Sequence, residues 1–197
     1  MSDTTDLIRC PWAGTDPLYR DYHDREWGVP LYDNQTLFEF LILEGAQAGL
    51  AWITVLRKRP AYRQAFDQFD PYKIAGYSAA RKTKLLQNPG LIRNRLKIDS
   101  AVRNAQAYVA MAQSGEDFSE FLWGFVGGRP KINHWRRLAD VPASTAESEA
   151  MSRALKKRGF NFVGPTICYA FMQATGMVND HLVNCYRHRQ CALQSEA

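Results

Sequence analysis

The chain has 197 residues and a mass of 22.5 kDa, with 46% hydrophobic and 23% charged residues. This length and composition are typical of one globular domain and exclude a collagen-like or generally disordered chain. The formal net charge of +5 and the sequence pI near 9.1 favour a polyanionic partner. We therefore expect a single domain over residues 1–197, with frayed ends at 1–6 and 192–197.

The N-terminal segment has no feature of an export signal. Residues 1–9 contain two acidic residues and no apolar stretch, and no part of the chain approaches the roughly 20 apolar residues that a membrane span needs. We expect a cytoplasmic protein without a membrane partner, in which cysteines are reduced and more suited to metal binding or reaction than to disulfides. The four cysteines are Cys10, Cys168, Cys185 and Cys191.

Apolar residues recur at helical spacing along most of the chain. The first such helix follows Asp33 or Asn34, either of which can cap it. The strongest periodicity runs through residues 93–113 and predicts a long amphipathic helix. Shorter helices are predicted over residues 50–58, 60–67, 78–87 and 117–126.

The C-terminal part begins with a connection and continues with two further helices. Residues 127–143 are rich in basic residues, glycine and proline, which predicts a loop. Ser144 and Glu147 form a capping box for the next helix. Pro165 and Gly176 then bracket an apolar run, because proline favours the first helical turn and glycine the position after the last. No pair of alternating runs flanks a hairpin turn, so the sequence predicts an all-α domain.

A short basic segment connects two of the predicted helices at Asn88, Pro89 and Gly90. A glycine here lets the backbone approach closely, and the amides at the start of the second helix can face a DNA phosphate. The segment predicts either a helix-hairpin-helix that grips the DNA backbone or an ordinary helix pair with hydrated basic side chains. Ile92 stands where many such hairpins have a second glycine. The candidate DNA contacts are Pro89, Gly90, Leu91, Ile92, Arg93, Arg95 and Lys97.

Cysteine and histidine occur in pairs near both ends of the chain. The C-terminal pair is four residues apart and would share one face of a helix. Two thiolates with two imidazoles form the ligand set of a closed structural zinc site, which would fasten the two ends together. The alternatives are a ligand set that includes His188 or Cys191, and inert buried cysteines with surface histidines. The residues of the two pairs are Cys10, His23, His181 and Cys185.

Glu44 is an acidic residue within an apolar run that leads to Trp52. A carboxylate in such a run is either buried and paired or lines a pocket, and burial raises its pKa. Together with aromatic rings it can hold a planar, electron-poor base. The alternative is that these aromatic residues belong to the core, as most do. The other aromatic residues of the candidate pocket are Trp12, Tyr19, Tyr22 and Trp27.

Five stretches of the chain together form a specific pattern. They are CPW and DPLYRDYHDREWGVP within residues 10–30, LEGAQAGLAWITVLRKR at 43–59, GLIRNRLKI at 90–98, FLWGFV at 121–126, and ALKKRGFNFVGPTICYAFMQATGMVNDHLVNC at 154–185. They cover nearly the whole chain in order and resemble the bacterial 3-methyladenine DNA glycosylase I family. The resemblance implies the all-α helix-hairpin-helix DNA glycosylase fold, with a structural zinc site that joins the N- and C-terminal segments.

The resemblance also implies roles for individual residues. One structural Zn²⁺ per chain would be held by Cys10, His23, His181 and Cys185. Glu44 would be the catalytic residue and would bind the base with Tyr22 and Trp52, between walls formed by Trp12, Tyr19 and Trp27. Gly49 and Leu50 would approach or fill the gap that the lesion leaves in the duplex. Because the family lacks the catalytic aspartate of the wider superfamily, neither Asp99 nor Asp180 is assigned that role.

The implied activity is hydrolysis of the N-glycosidic bond of 3-methyladenine in alkylated double-stranded DNA, which releases the free base and leaves an abasic site for base excision repair. The implied enzyme is a monomer in the bacterial cytoplasm, associated with the nucleoid. A non-enzymatic DNA-binding module would not need Glu44 beside Trp52. A metabolic hydrolase unrelated to DNA would not need the basic hairpin, and the chain lacks a nucleophile elbow and a phosphate-binding loop.

Overall fold

Ten α-helices, four three-residue 3₁₀ helices and one pair of two-residue strands make up the regular structure of residues 7–194, the part of the chain that the computed structural model describes. Within this part, none of the helices combines the length and the hydropathy that crossing a bilayer requires. The helices are α1 (Pro17–Arg25), α2 (Asn34–Gln47), α3 (Trp52–Ala65), α4 (Pro71–Ala75), α5 (Ala79–Gln87), α6 (Arg95–Gln113), α7 (Phe118–Trp123), α8 (Ala146–Lys157), α9 (Pro165–Ala174) and α10 (Tyr186–Gln194).

The fold is mostly helical, with one exception to the all-α prediction. Strands β1 (Lys131–Ile132) and β2 (Val178–Asn179) pair in parallel. Two residues per strand are too few for an alternating pattern to be visible in the sequence. Of the predicted frayed ends, residues 192–194 are the last residues of α10, and the remainder lies outside the described residues.

Residues 50–58 and 60–67, predicted as two helices, form the single helix α3, with Pro60 in its interior. A proline in a helix interior lacks the amide donor and costs about 3 kcal/mol. The helix continues through the proline, and the turns on both sides of it are held by buried side chains and by ion pairs. Arg59 pairs with Glu26, and Arg63 pairs with Glu39 of α2 at 2.8 Å.

The start of α8 differs from the predicted capping box of Ser144 and Glu147. The Thr145 hydroxyl accepts from the amide of Ser148, and the Ser148 hydroxyl accepts from the amide of Thr145. Glu147 instead binds the ammonium group of Lys131 at 2.6 Å. Because serine can replace glutamate in this reciprocal arrangement, the box lies one residue later than the usual pattern predicts.

The helix α2 lies in the centre of the core and is capped by Asp33, whose carboxylate accepts from the amide of Thr36 at 2.8 Å. Every residue from Leu37 to Ala46 is buried, and the helix packs against α3, α6, α7 and α9. A helix that is buried on all sides needs no polar face. Two acids interrupt this apolar run. Glu39 pairs with Arg63, and Glu44 near the C-terminal end is placed inside the protein by the burial of α2.

The segment after α1 packs on the end of α9. The amide of Gly28 donates to Gln173 O at 3.1 Å, and the amide of Leu31 donates to Thr175 O at 3.1 Å. Gly176 has φ +71°, and a Cβ there would lie 2.4 Å from the carbonyl carbon of Val29. The close backbone contact therefore requires glycine and sets α1 beside the C-terminal segment.

Gly176→Ala should lower the free energy of unfolding by about 2–4 kcal/mol, since it adds a backbone clash to a left-handed conformation. Gly115→Ala is the matched control, because Gly115 has φ +85° but nothing within 4 Å of its added Cβ. We expect that control to lose about 1 kcal/mol. Urea denaturation of both variants measures the difference, and equal losses would contradict the packing argument.

Candidate active site and metal centre

An open cavity of about 240 Å³ lies between α1, the C-terminal end of α2, the start of α3 and α9. The cavity brings together all of the residues that the sequence analysis assigned to a base pocket. These are Trp12, Tyr19, Tyr22, Trp27, Glu44 and Trp52.

The carboxyl group of Glu44 is the principal charged feature of this cavity. Its side chain is nearly inaccessible, with the residue 3% exposed, and no described residue hydrogen-bonds to its carboxyl group. Burial alone raises the pKa of this carboxyl to about 8. A buried acid without a partner costs stability, so the group is available to bind a ligand that donates hydrogen bonds or carries positive charge.

Aromatic rings form the walls around Glu44. The ring centroids of Tyr22 and Trp52 lie 5.6 Å apart, and Trp12 contacts Trp27 edge-on at 4.9 Å. Burial, together with the nearby Glu44, raises the pKa of Tyr22 well above its usual value. The indole nitrogen of Trp52 is buried and has no hydrogen-bond partner among the described residues. The cavity therefore offers ring surfaces and unpaired polar groups, which suit a flat ligand with polar edges.

The sequence analysis missed several residues of the cavity. Gln47 lies one turn after Glu44 on α2, a helical spacing that identifies it in retrospect. Leu138 and Val141 come from the basic connection 127–143, which was interpreted only as a loop. The local sequence does not indicate that Leu138 and Val141 line the cavity, because tertiary packing brings the loop there. Cys10, a candidate zinc ligand, also lines the cavity. The other residues that the sequence does not predict there are Ala170, Gln173, Asp180 and Leu182.

Asp180 supports one wall of the cavity. Its carboxylate accepts hydrogen bonds from the Asn133 amide at 2.7 Å, the Trp135 indole at 2.8 Å, the Tyr169 hydroxyl at 2.6 Å and the Gln173 amide at 2.8 Å. Four donors occupy both oxygens, so Asp180 acts as a structural anchor of the wall. The other aspartate considered above, Asp99, is bound to the Lys82 ammonium at 2.7 Å.

The two Cys/His pairs meet in a buried group next to the cavity. Their ligand atoms all lie within 4.8 Å of one another. Cys185 Sγ lies 3.4 Å from His23 Nε2 and 3.6 Å from His181 Nδ1, and Cys10 Sγ lies 3.6 Å from the same Nδ1. Tetrahedral bonds of about 2.3 Å to sulfur and 2.0–2.1 Å to nitrogen separate such atoms by about 3.5 Å. The donor set and its spacing therefore fit a tetrahedral metal ion.

The second ring nitrogen of each histidine in this group is also held. His23 Nδ1 lies 2.8 Å from the Asp24 carboxylate, and His181 Nε2 lies 3.0 Å from Trp27 O. Such outer contacts orient imidazole ligands and fix their tautomer. The hydrogen bond between the thiols of the group lowers the pKa of Cys185, which favours one thiolate. The alternative ligand His188 instead contacts Asn133 O at 2.7 Å.

The connection between α5 and α6 is fixed to α3. A Cβ on Gly90 would lie 2.8 Å from the Cβ of Ala61, Lys58 Nζ donates to Pro89 O at 2.9 Å, and the Ile92 amide donates to the Tyr62 hydroxyl at 3.2 Å. The close approach that the sequence predicted for Gly90 is thus made to α3.

The candidate DNA contacts differ in accessibility. Arg93 and Arg95 are exposed, whereas Leu91 is buried in the core. Lys97 does not extend into solvent, because its ammonium group donates to carbonyl groups at the end of α2. Gly49 and Leu50 form the exposed turn between α2 and α3, with Gly49 at φ +80°.

The raised pKa of Glu44 predicts that the stability of the native state depends on pH. Between its ordinary value of 4.5 and about 8, the native state retains a proton that the unfolded chain has lost, so stability falls as the pH rises. The unfolding free energy of Glu44→Gln minus that of wild type should therefore increase by about 2–4 kcal/mol from pH 5 to pH 8, since one pKa unit corresponds to about 1.4 kcal/mol.

Urea denaturation at several pH values tests this dependence on Glu44. Glu147→Gln is the control, because the Lys131 ammonium lowers the pKa of Glu147 to about 2 and its contribution is complete across the same window. Its difference from wild type should stay constant from pH 5 to pH 8. A Glu44→Gln difference that is equally constant would show that the acid is not a proton-binding group in this range.

Comparison with known proteins identifies one family. The methyladenine glycosylase family model matches residues 12–188. The DNA-3-methyladenine glycosylase of Haemophilus influenzae is 56% identical over 177 residues, which are 90% of this chain and 96% of that protein. A crystal structure of 3-methyladenine DNA glycosylase I is 55% identical, with a TM-score of 0.90 over 91% of this chain and 98% of that chain. A variant of 3-methyladenine DNA glycosylase I in complex with 3-methyladenine is 37% identical, with a TM-score of 0.87 over 90% and 96%. The chain therefore belongs to the methyladenine glycosylase family.

Proposed function

We propose that this protein binds 3-methyladenine extruded from alkylated double-stranded DNA and hydrolyses its N-glycosidic bond, leaving an abasic site. The observation that carries the proposal is the unpaired carboxyl group of Glu44 inside an aromatic cavity. Family membership and the names of the relatives support the same activity. One chain forms the whole cavity, which supports action as a monomer. A DNA substrate supports a location at the bacterial nucleoid in the cytoplasm.

The chemistry of the lesion explains why a modest catalytic apparatus suffices. An adenosine methylated at its minor-groove ring nitrogen is already cationic, so the base departs as a neutral molecule without an added proton. The protein must pay for extrusion of the nucleotide, which costs a few kcal/mol, and must recognise the base. Water then adds to the oxocarbenium-like centre of the sugar.

Glu44 is the selective element of the proposed site. The cationic base supplies the positive charge that a buried carboxylate needs, so its arrival favours ionisation of Glu44. The carboxylate accepts hydrogen bonds from the exocyclic amino group of the base. Unmodified adenine has no such charge and leaves the desolvation of the carboxylate uncompensated. Tyr22 and Trp52 contribute ring surfaces, which attract a cationic ligand.

Glu44→Gln keeps the volume of the side chain and removes its charge and one hydrogen-bond acceptor. It should therefore weaken binding of free 3-methyladenine and slow its release from alkylated duplex. We expect a loss of about 1.5–3 kcal/mol, or roughly 10- to 100-fold. Chromatography of the bases released from methylated DNA measures the activity, with Trp52→Ala as a second variant.

Thermal melting of both variants controls for folding. A non-enzymatic DNA-binding module would release no base even as the wild-type protein. If the folded variants Glu44→Gln and Trp52→Ala act as well as wild type, the base binds elsewhere.

We infer that the Cys/His group holds one structural Zn²⁺ per chain. The proposed ligands are two thiolates and two imidazoles from opposite ends of the chain, and four protein ligands leave no position for water or substrate. Bound zinc would add stability by joining these segments, since binding energy at a site absent from the unfolded chain contributes to folding. The ligands are Cys10, His23, His181 and Cys185.

Cys185→Ser should lower the zinc content measured by elemental analysis from one per chain and lower the melting temperature by at least about 5 °C, given roughly 2–4 °C per kcal/mol for a chain of this length. Cys168→Ser is a matched control, because Cys168 is buried but lies outside the group. Refolded wild-type protein with clearly less than one zinc would contradict the assignment, as would equal melting temperatures of wild type and Cys185→Ser.

We also propose that the α5–α6 connection is a helix-hairpin-helix that binds DNA phosphates. The exposed guanidinium groups of Arg93 and Arg95 and the rigid attachment of the connection to α3 support this role. Such contacts hold DNA without reading its sequence. The exposed Leu50, four-tenths accessible and two residues before Trp52, is suited to fill the gap that an extruded nucleotide leaves.

A further inference from the structure

The ammonium group of Lys97 connects the start of α6 to the end of α2. Its Nζ donates to Ala46 O at 2.7 Å and to Ala48 O at 2.8 Å. The charge of Lys97 is therefore directed into the protein, whereas its neighbours Arg93 and Arg95 are exposed. We propose that Lys97 is a positioning residue, which sets the Gly49–Leu50 turn at a fixed place relative to the α5–α6 connection, and not a phosphate ligand. This inference rests on the proposed function.

The carbonyl groups at the end of α2 need a donor from elsewhere. In a continued helix Ala46 O would accept from the amide of Leu50, but that amide donates to Gln47 O at 2.6 Å. Ala48 leaves the helical conformation with ψ 116°, so its own carbonyl also lies outside the helical pattern. Carbonyl groups at a helix C-terminus carry partial negative charge, which a lysine ammonium satisfies.

Lys97 is the principal external restraint on this turn. The other hydrogen bonds of residues 46–51 are made within α2, the turn and α3, and among the described residues only Lys97 reaches them from another element. Gln47 on one side and Trp52 on the other both line the cavity. A displacement of the turn therefore moves Leu50 and the rim of the cavity together.

The backbone of Lys97 is held as firmly as its side chain. Its amide donates to the Asn94 side chain at 3.2 Å, the cap that starts α6. The α5–α6 connection is in turn attached to α3 through Pro89 and Ile92. These attachments do not involve the Lys97 ammonium. Loss of that group should leave phosphate binding intact and loosen the turn that carries Leu50.

The test separates binding from extrusion. Lys97→Met removes the charge and keeps the length of the side chain, and Lys157→Met is the matched control, an equal loss of charge at an exposed position on α8. Affinity is measured for an undamaged duplex over a series of salt concentrations. Insertion of Leu50 is measured by the fluorescence of 2-aminopurine opposite a tetrahydrofuran abasic analogue. Release of 3-methyladenine from alkylated duplex is measured in single turnover.

We expect Lys97→Met to reduce both the fluorescence rise and the single-turnover rate by about tenfold or more, since small misplacements have effects of this size. Its salt dependence should match that of Lys157→Met, and Lys97→Arg should recover most of the loss. Leu50→Ala should cost less in the Lys97→Met background than in wild type, because both changes act on one step.

Three results would overturn the inference. The first concerns the slope of log affinity against log salt concentration. If Lys97→Met reduces this slope by about one phosphate contact, as expected for Arg95→Met, and leaves the fluorescence rise unchanged, Lys97 is a phosphate ligand. The second is fully additive losses for Lys97→Met and Leu50→Ala, and the third is wild-type behaviour of Lys97→Met. If Lys97→Met does not fold, Lys97→Gln carries the same comparisons. A wild-type protein that releases no base would overturn the proposed function, whereas the fluorescence comparison tests Lys97 without catalysis.

Discussion

The contact between the two ends of the chain holds both the Cys/His group and one side of the cavity. Trp12 packs edge-on against His23, and Trp27 against His181, at centroid distances of 5.2 and 4.6 Å. These two indoles are also walls of the cavity. The ring surfaces that would contact a base are therefore positioned by the same residues that would bind a metal, so the stability of the junction and the shape of the cavity depend on each other.

The cavity also illustrates how a protein retains an unfavourable group. Glu44 is surrounded by the apolar residues of α2, and its burial raises its pKa to about 8. A glutamine would avoid the cost of burying a carboxylate, but it would not respond to the charge of an alkylated base. The packing of α2 against four other helices supplies enough stability to tolerate this residue.

Local sequence signals predicted the parts of the site that lie on single elements. Glu44 was identified as an acid in an apolar run, and the long helix α6 was predicted from its periodicity to within two residues. Signals failed where tertiary contacts decide the outcome. Pro60 predicted a break, but α3 continues through it, with buried side chains and ion pairs on both sides. The sequence groups Lys97 with its basic neighbours as a candidate DNA contact, and composition cannot show that its ammonium group donates to carbonyl groups at the end of α2.

The other unpredicted features have the same origin. Leu138 and Val141 belong to a loop that has no apolar periodicity. Tertiary contacts bring that loop to the cavity, among them the pairing of β1 with β2 and the bonds from Asn133 and Trp135 to Asp180. Charge alone does not reveal Asp180 as an anchor, because its four partners are neutral donors and two of them come from a separate segment, at Asn133 and Trp135.

The long separation between Cys10 and His181 along the chain, 171 residues, has a consequence for biosynthesis. A ribosome makes the N-terminal part first, and contacts of such high sequence separation form late and slowly. The aromatic residues of the N-terminal segment emerge long before the histidine and cysteine that complete their surroundings. A nascent chain that stops before Cys185 would expose Trp12 and Trp27. Such incomplete chains would be prone to aggregate and would be bound by chaperones.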